Sequence, residues 1–230
     1  MNAFILNNTI NSRIDLGLRI TRPPVIPPTS RVVNTIEVDG REGALTILRG
    51  WQDTTFDLRV ALLGDDLIAR WRNIMPQIIN ANSIHFSNDT AVFHQVKQVT
   101  ATPHEKRMQG MMEYTLTFTC APFRYMRNVA MITRTTSGTL VNTGTVHSLP
   151  RITVFGTGSR TLTINGKAIV LNLLQGSLVL DSALKICHFG NVAQNNQMTG
   201  DFPVFELGNN TITLGTGITR IEIEPRWRFL

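Results

Sequence analysis

The chain has few of the residues that build disulfides, metal sites and catalytic centres. It contains only two cysteines and five histidines, and no histidine stands four residues from another. A zinc site needs three or four ligands at characteristic spacings, which this set does not provide. Neither a Gly-x-Ser-x-Gly elbow nor a His-Glu-x-x-His motif occurs. The sequence therefore predicts no catalytic, cofactor-binding or metal-binding residue. We interpret every histidine as structural: His85, His94, His104, His147 and His188.

Two weaker patterns that suggest chemistry have simpler explanations. Gly156-Thr157-Gly158 resembles a phosphate loop, but a dinucleotide fingerprint must lead into a helix, and Thr161–Ile164 alternates like a strand. Glu222 and Glu224 alternate with isoleucines, so we expect them to lie side by side on a solvated strand face rather than to form a glycosidase pair. We therefore expect the chain not to be an enzyme.

Long apolar runs are also missing. No run approaches the roughly 20 residues needed to cross a bilayer, and polar Asn2, Asn7 and Asn8 interrupt the apolar stretch that a signal peptide would need. With only two cysteines, this pattern favours folding in a reduced, cytosolic compartment without membrane insertion.

The positive charge of the chain is spread rather than clustered. The formal net charge is +6 and the isoelectric point is near 10.0. However, residues 1–138 hold 15 basic and 11 acidic side chains, and residues 139–230 hold 7 and 5. No block of five or more like charges occurs, so the pattern does not indicate a dedicated nucleic-acid-binding surface.

The N-terminal half alternates at the period of strands. The segment Phe4–Ile20 is interpreted as one strand, and Phe56–Leu62 as another that is half-buried. The strongest strand runs from Met112 to Cys120, with apolar residues on one face and threonines on the other. A sheet with one buried face is expected here.

One segment has the period of a helix. Leu67, Ile68, Trp71, Ile74 and Met75 form a single apolar stripe, which we interpret as core packing. The preceding acidic pair complements the positive end of the helix dipole. Pro76 is expected to end or kink this helix, with residues 77–80 adding a turn.

A proline-rich segment separates the first strand from the rest. Residues 22–28 contain four prolines, which exclude both a helix and a central strand. This extended connector is either a surface loop or an arm that lies on a neighbouring subunit. The segment Val38–Gly43 then reads as a turn that enters a strand at Ala44–Leu48.

The C-terminal part consists of short alternating strands and tight turns. Asn165-Gly166 tolerates the two positive φ angles of a type I′ hairpin, which sets Leu162 opposite Ile169. Residues 127–144 are rich in Thr, Ser, Gly and Asn, so we expect the domain boundary near residue 137. The resulting domains are 1–137, with strands and one helix, and 138–230, a β-sandwich.

Carbohydrate binding by this sandwich is an open alternative. Sugar sites usually stack a ring on an exposed Trp or Tyr. After residue 138 there is no Tyr and a single Trp, Trp227, so the module is poorly equipped for stacking. Its other aromatic residues are phenylalanines: Phe155, Phe189, Phe202, Phe205 and Phe229.

The order of these parts resembles the distal tail proteins of siphophages, the phage tail-component family. The resemblance covers nearly the whole chain. Its N-terminal markers are the proline-rich stretch, Val38–Gly43, the single helix and the strand that ends at Phe123. Its C-terminal markers are Asn142-Thr143-Gly144, Ser148-Leu149-Pro150, Asn165-Gly166, Leu178-Val179-Leu180-Asp181-Ser182, Gly200-Asp201-Phe202-Pro203 and Gly208-Asn209-Asn210.

The resemblance implies a mainly β protein in which an N-terminal β-sandwich or split-barrel-like domain with one α-helix precedes a galectin-like β-sandwich. It implies a homo-hexameric ring in the virion tail tip, assembled in the host cytoplasm. The ring joins the tail-tube protein to the tip hub protein and anchors receptor-binding or side-fibre proteins. Genomic DNA passes through it with transient, non-specific contact.

Two other functions remain open from the sequence: a carbohydrate-binding module for host cell-wall attachment, and a tail-tube subunit. A proline-rich arm and a long hairpin over Val92–Thr119 suit contacts between neighbours in a closed ring. The sequence identifies no interface residue.

Overall fold

The computed structural model describes residues 3–103 and 110–230, and within them the chain is mainly β with one α-helix. The expected fold class is therefore confirmed. The chain divides into two compact units, one that runs from the N-terminus to Arg127 and includes Leu230, and one that spans Asn128–Phe229. His104 and most of the expected polar tip Pro103–Arg107 lie outside the described residues.

The N-terminal unit contains one α-helix, α1 (Leu67–Ile79), among strands. These strands are β1 (Phe4–Leu6), β2 (Ile10–Asn11), β3 (Leu18–Arg22), β4 (Arg31–Ile36), β5 (Leu45–Trp51), β6 (Thr54–Leu63), β7 (Ser83–Phe86), β8 (Asp89–Pro103) and β9 (Met111–Met126).

Seven of these strands follow one path in the order β2-β1-β7-β8-β9-β6-β3. Its centre is the antiparallel ladder between β6 and β9, which runs from Thr54↔Cys120 to Leu63↔Met111. Alternate residues of both strands are buried, as the period of two predicted. Strand β8 pairs along the other side of β9, so β9 lies inside the sheet.

The buried face of this sheet carries an aromatic and aliphatic core. Phe56 stacks on Phe118 with ring centroids 5.6 Å apart, and Phe4 meets Phe118 edge-on at 6.4 Å. Helix α1 packs Ile74 and Ile78 into the same cluster. Burial of such side chains supplies about 1.5–3 kcal/mol each, so the core fixes where β6, β9 and α1 lie.

The single strand expected over Phe4–Ile20 is wrong, because the chain turns twice within it. Asn7 and Asn8 have φ of 50° and 66°, in the left-handed region that Asn tolerates. The Asn11 side chain then accepts backbone N–H groups from Arg13 and Ile14. Local hydrogen bonding by asparagine therefore outweighs the weak alternation, and three short strands result.

The C-terminal unit consists of short strands and one 3-10 turn at Asn195–Gln197. The strands are β10 (Ile132–Arg134), β11 (Gly138–Asn142), β12 (Arg151–Gly156), β13 (Gly158–Ile164), β14 (Lys167–Leu173), β15 (Ser177–Asp181), β16 (Ile186–Phe189), β17 (Val192–Ala193), β18 (Met198–Thr199), β19 (Gly208–Leu214), β20 (Ile218–Glu224) and β21 (Arg228–Phe229).

All of these strands except β21 form two sheets, with the orders β10-β20-β12-β15-β16-β17 and β11-β19-β13-β14-β18. Alternate residues of the long strands are buried in both sheets, as in a β-sandwich. The hairpin at Asn165 and Gly166 has the predicted pair of positive φ angles, 51° and 78°. Leu162 pairs with Ile169 as expected.

The junction between the units precedes the boundary that we expected at residue 137. Strand β10 pairs with β20 from Ile132↔Ile223 to Arg134↔Ile221. These pairs place residues 132–134 in the C-terminal unit. The composition of residues 127–144 indicated a connecting region but carried no sign of this extra edge strand.

A buried ion pair ties together two turns of the C-terminal unit. Arg226 donates two hydrogen bonds of 2.9 Å to the two carboxylate oxygens of Asp181. Asp181 also accepts the backbone N–H groups of Ala183 and Leu184 at 3.1 Å. Burial alone raises the pKa of Asp181, but the Arg226 and backbone hydrogen bonds together lower it below its ordinary value.

We expect Asp181→Asn to lower the unfolding free energy by about 2–3 kcal/mol, because Arg226 loses its charged partner while it stays half-buried. The loss should be present at neutral pH and fade below about pH 3.8, where the unfolded carboxyl group also takes up a proton. Urea unfolding checks this, with exposed Asp201→Asn as the control. Equal stability of the two variants would contradict the assignment.

Candidate interaction surfaces

A two-stranded hairpin in the N-terminal unit stands apart from the main sheet. We call it the arm; it comprises β4, β5 and their connection, Arg31–Trp51. Its strands pair only with each other in the described structure. Every residue from Val33 to Gly50 is exposed. Because an isolated two-stranded hairpin is at best marginally stable in water, the arm lacks the cover that such a structure needs.

Both faces of the arm carry apolar side chains. The register pairs Ile36 with Leu45 on one face, which Ile47 shares, and Val33 with Leu48 on the other. Their exposed fractions run from 37% for Ile47 to 62% for Leu48. Exposed apolar strands with free edges invite pairing with another chain. The arm is therefore a candidate interaction surface.

The base of the arm is anchored to the sheet by Trp51. Its ring packs edge-on against Phe123 of β9, with centroids 5.6 Å apart, and the Arg31 guanidinium lies 4.2 Å above it. At the same level, the Gln52 backbone N–H donates to the Ser30 carbonyl oxygen at 2.9 Å. These contacts fix where the arm leaves the sheet.

The proline-rich segment packs on its own unit. Ile26 lies against the hydrophobic core, and the Thr29 hydroxyl donates to the Pro122 carbonyl oxygen. These contacts order the segment on its own unit, and the alternative of an arm that lies on a neighbouring subunit stays a prediction. The exposed element is the hairpin that follows it, in which the expected strand from Ala44 forms as β5.

We expect Trp51→Ala to release the base of the arm, because both the aromatic pair and the cation–π contact are lost. Together these contacts are worth about 1–2 kcal/mol. Limited proteolysis should cut the arm faster than in the wild-type chain. Leu48→Ala, an exposed change in the same arm, is the matched control and should leave the cleavage rate nearly unchanged. Equal rates for both variants would contradict the anchoring role.

Helix α1 offers a second apolar surface. Leu67, Ile74 and Ile78 are its buried residues. The sequence interpretation of Ile68 as core is wrong, since Ile68 is 68% exposed. Trp71 and Met75 are half-buried, and Trp71 stacks on Tyr114 with centroids 3.5 Å apart. The helix thus has two apolar faces, and only one of them is covered by the sheet.

Pro76 does not end the helix, which continues to Ile79. Proline removes the backbone donor that would bond to residue 72, yet the Asn80 N–H still donates to the Pro76 carbonyl oxygen at 3.2 Å. The extra turn places Ile79, 47% exposed, beside Met75. The sequence did not predict this exposed row of apolar residues. The spacing of apolar residues in a helix defines its faces, but it does not show what packs against each face.

Two histidines line a cavity of about 330 Å³ near the turn between β7 and β8. His85 and His94 are 4% and 6% exposed, and the His94 ring meets Phe56 at 5.6 Å. Arg124 and Asp89 also line the cavity. The sequence interpretation of these histidines as structural stays a prediction.

The pKa of His94 is lowered from its ordinary 6.5 to about 4, first by burial and then by the Arg124 charge, against a smaller opposite effect of Asp89. The pKa of His85 is lowered in the same direction by burial and by Arg127. Both rings are therefore neutral in the folded chain at pH 7. Protonation of either ring would bury a positive charge and would therefore destabilise the folded chain.

We expect His94 to make the unit less stable in weak acid. The folded pKa is below the unfolded value, so its stabilising contribution is full above pH 6.5 and is lost as the pH falls towards 4. The loss is on the order of 3 kcal/mol. Urea unfolding at several pH values should show a shallower decline for His94→Gln than for the wild type. His188→Gln, in the other unit, should decline like the wild type; equal slopes for all three would contradict this role.

The two cysteines are buried and unpaired. Burial raises the pKa of Cys120 to about 12 and that of Cys187 to about 11. Both thiols therefore stay protonated near neutral pH, whereas thiol nucleophiles act as thiolates. Within residues 3–103 and 110–230, no group of three or more His, Cys, Asp or Glu side chains is arranged to hold a metal ion.

Two of the six aromatic residues of the C-terminal unit, Phe205 and Trp227, are buried, three are half-buried, and Phe189 is exposed. Trp227 is 4% exposed and lies 5.9 Å from the fully buried Phe205. The Arg220 guanidinium covers the Phe155 ring at 3.7 Å. Glu222 and Glu224 lie on β20, as expected, and form ion pairs with Arg220 and Arg226. Trp227 is therefore not available as a stacking platform for a sugar.

No helix in the described part of the chain has the length and apolar character to cross a membrane. No protein-family model matches the chain, and no curated protein matches its sequence. Solved structures, in contrast, are similar along nearly its whole length.

The Dit (gp 19.1) protein of phage SPP1, described as a paradigm of the hub adsorption apparatus in Gram-positive infecting phages, is similar with a TM-score of 0.66 and 14% identity. The match covers 97% of each chain. A chain of the phage P2 baseplate in its activated conformation with calcium is similar with a TM-score of 0.51 and 11% identity, over 97% of each chain. The strontium form of that baseplate gives 0.50 and 10%, over 97% of this chain and 98% of that one.

At the level of the fold, these similarities confirm the resemblance to siphophage distal tail proteins that the sequence suggested. They cover both units, so the match does not rest on one common β-sandwich. The chain has the fold of the Dit hub protein of phage SPP1.

Proposed function

We propose that the chain is a structural component of a bacteriophage tail tip, a distal tail protein that assembles as a hexameric ring. The observation that carries this proposal is the likeness over 97% of the chain to a phage hub protein and to a baseplate chain. Both units are matched, so the whole architecture, rather than one module, supports a role in a tail assembly.

The arm supports assembly from several copies. Its apolar faces are uncovered in the single chain and need a partner surface. A contact between an arm and a different surface of the next copy is heterologous, and heterologous contacts that close on themselves give rings. A ring also hides strand edges that would otherwise promote aggregation.

In this proposal the N-terminal unit forms the ring, and the ring joins the tail-tube protein to the tip hub protein. The C-terminal β-sandwich is the platform for receptor-binding or side-fibre proteins. The genome passes through the ring with transient, non-specific contact, which fits a basic charge that is spread along the chain. The protein is a non-enzymatic virion component, assembled in the host cytoplasm.

Carbohydrate binding is less well supported by the geometry. The single Trp of the C-terminal unit is buried, and Phe155 is covered by Arg220. Phe189, 36% exposed, remains accessible, but it has no hydroxyl or ring N–H for a sugar. We therefore assign the sandwich to protein contacts.

The mass of the purified chain in solution tests the proposal. We expect a discrete oligomer of about six times 25.7 kDa by native mass spectrometry and light scattering. A chain that stays monomeric at micromolar concentration would contradict ring formation. Open-ended filaments would instead identify a tube subunit.

We expect Ile47→Asp to prevent ring formation while leaving the chain folded. The side chain is exposed in the single chain, so the charge costs little there, but it would be buried without a partner in a packed contact. Light scattering should then show monomers, with an unchanged thermal transition. Ile14→Asp is the matched control, because Ile14 is 80% exposed elsewhere in the same unit. Rings of wild-type mass from Ile47→Asp would exclude the arm from the contact.

A further inference from the structure

The outward face of helix α1 has the character of a binding surface. We call it the helix stripe; it consists of Ile68, Arg72, Met75 and Ile79, which recur at helical spacing on the exposed side. Together with Trp71 and Pro76 they line a shallow depression of about 540 Å³. Contiguous apolar surface of this kind, with a charge at its centre, is typical of an interaction site.

The size of the helix stripe matches the arm. Helix α1 has 13 residues and is therefore about 20 Å long at 1.5 Å per residue. Strand β4 has 6 residues, which also span about 20 Å at 3.3 Å per residue. On one face of the arm, Ile36 lies opposite Leu45 and Ile47 follows two residues further along β5, so this apolar patch spans about 7 Å of strand. The arm is therefore long enough to lie along helix α1, and its apolar patch is short enough to pack within the helix stripe.

The charges of the two surfaces are complementary. The connection of the arm carries Glu37, Asp39 and Glu42 against the single basic residue Arg41. Helix α1 carries Arg70 and Arg72 and no acidic residue, and the acidic pair Asp65 and Asp66 lies before its first turn, beside Ile68. Arg70 donates to the Leu63 carbonyl oxygen of its own chain at 2.7 Å, which leaves Arg72 as the outward charge of the helix. Opposite charges beside an apolar contact fix its register and speed its formation.

The two surfaces do not cover each other within one chain. Residues 33–50 are all exposed, and so are Ile68 and Ile79, although both surfaces belong to the same unit. We propose that the helix stripe receives the arm of a second copy of this chain. Each copy then gives its arm to one neighbour and its helix to the other. This inference rests on the proposed ring and identifies the surfaces that close it.

Thiol cross-linking between two variants tests this contact. Met75→Cys places a thiol at the centre of the helix stripe, and Ile47→Cys places one at the centre of the arm, so the test does not depend on the direction of docking. Native Cys120 and Cys187 are fully buried and serve as an internal check in the wild type. The two variants are mixed, assembled and treated with a short bis-maleimide.

We expect cross-linked dimers in the mixture and few in either variant alone. Rings of wild-type mass without the mixed cross-link would overturn the inference and leave the proposed function standing. A wild-type chain that never forms rings would contradict the proposed function and, with it, this contact. Cross-links within the Met75→Cys sample alone would show helix-to-helix packing and overturn the inference.

Charge reversal gives an independent test that needs no cross-linker. We expect Arg72→Glu to weaken ring assembly about tenfold or more, since it meets the acidic connection of the arm. Arg59→Glu is the matched control, because Arg59 is exposed on β6 outside the helix stripe. Circular dichroism verifies that both variants fold. Equal assembly of the two variants, measured by light scattering over a dilution series, would overturn the inference.

Discussion

The structure depends on one constraint: a hairpin with apolar side chains on both faces needs a cover that the described residues of its own chain do not give. The arm leaves the sheet as a two-stranded ribbon with Val33 and Leu48 on one face and Ile36, Leu45 and Ile47 on the other. In water the few hydrogen bonds of such a ribbon add little to its stability. Burial of its side chains on another surface stabilises it by about 25 cal/mol per Å² of apolar surface removed from water. The exposed faces of the arm therefore favour association with a second surface.

The remainder of the N-terminal unit holds that ribbon in place. Trp51 fixes its base against Phe123, and β9 itself is held between β6 and β8 over a core with stacked phenylalanines. Because its base is rigid, the arm loses little conformational entropy when it binds. This favours a defined contact over non-specific association. The C-terminal unit has its own sandwich and its own buried Asp181–Arg226 pair. It is therefore stabilised by contacts of its own.

The sequence predicted the elements whose own pattern determines them. The alternation of apolar residues through Phe118 predicted β9, and the φ preferences of Asn165-Gly166 predicted the hairpin. Both signals act locally along the chain. The interpretation of Ile68 as core was wrong, because periodicity describes faces and not what lies against them. For the arm, the sequence predicted only a turn and a short strand. Its exposure could not be predicted, because it depends on which other parts of the sheet pack against it. The strand expected across Asn7 and Asn8 was wrong because asparagine side chains and left-handed backbone turned the chain locally.

Hydrogen–deuterium exchange on the assembled protein and on a monomeric sample obtained by dilution tests the central claim most directly. If the arm is covered by a neighbouring copy, its amides between Val33 and Gly50 become strongly protected in the oligomer, while those of the C-terminal sandwich exchange equally in both samples. If the arm exchanges at the same rate in the oligomer as in the monomer, its apolar faces are not the surfaces that assembly buries, and the account is contradicted.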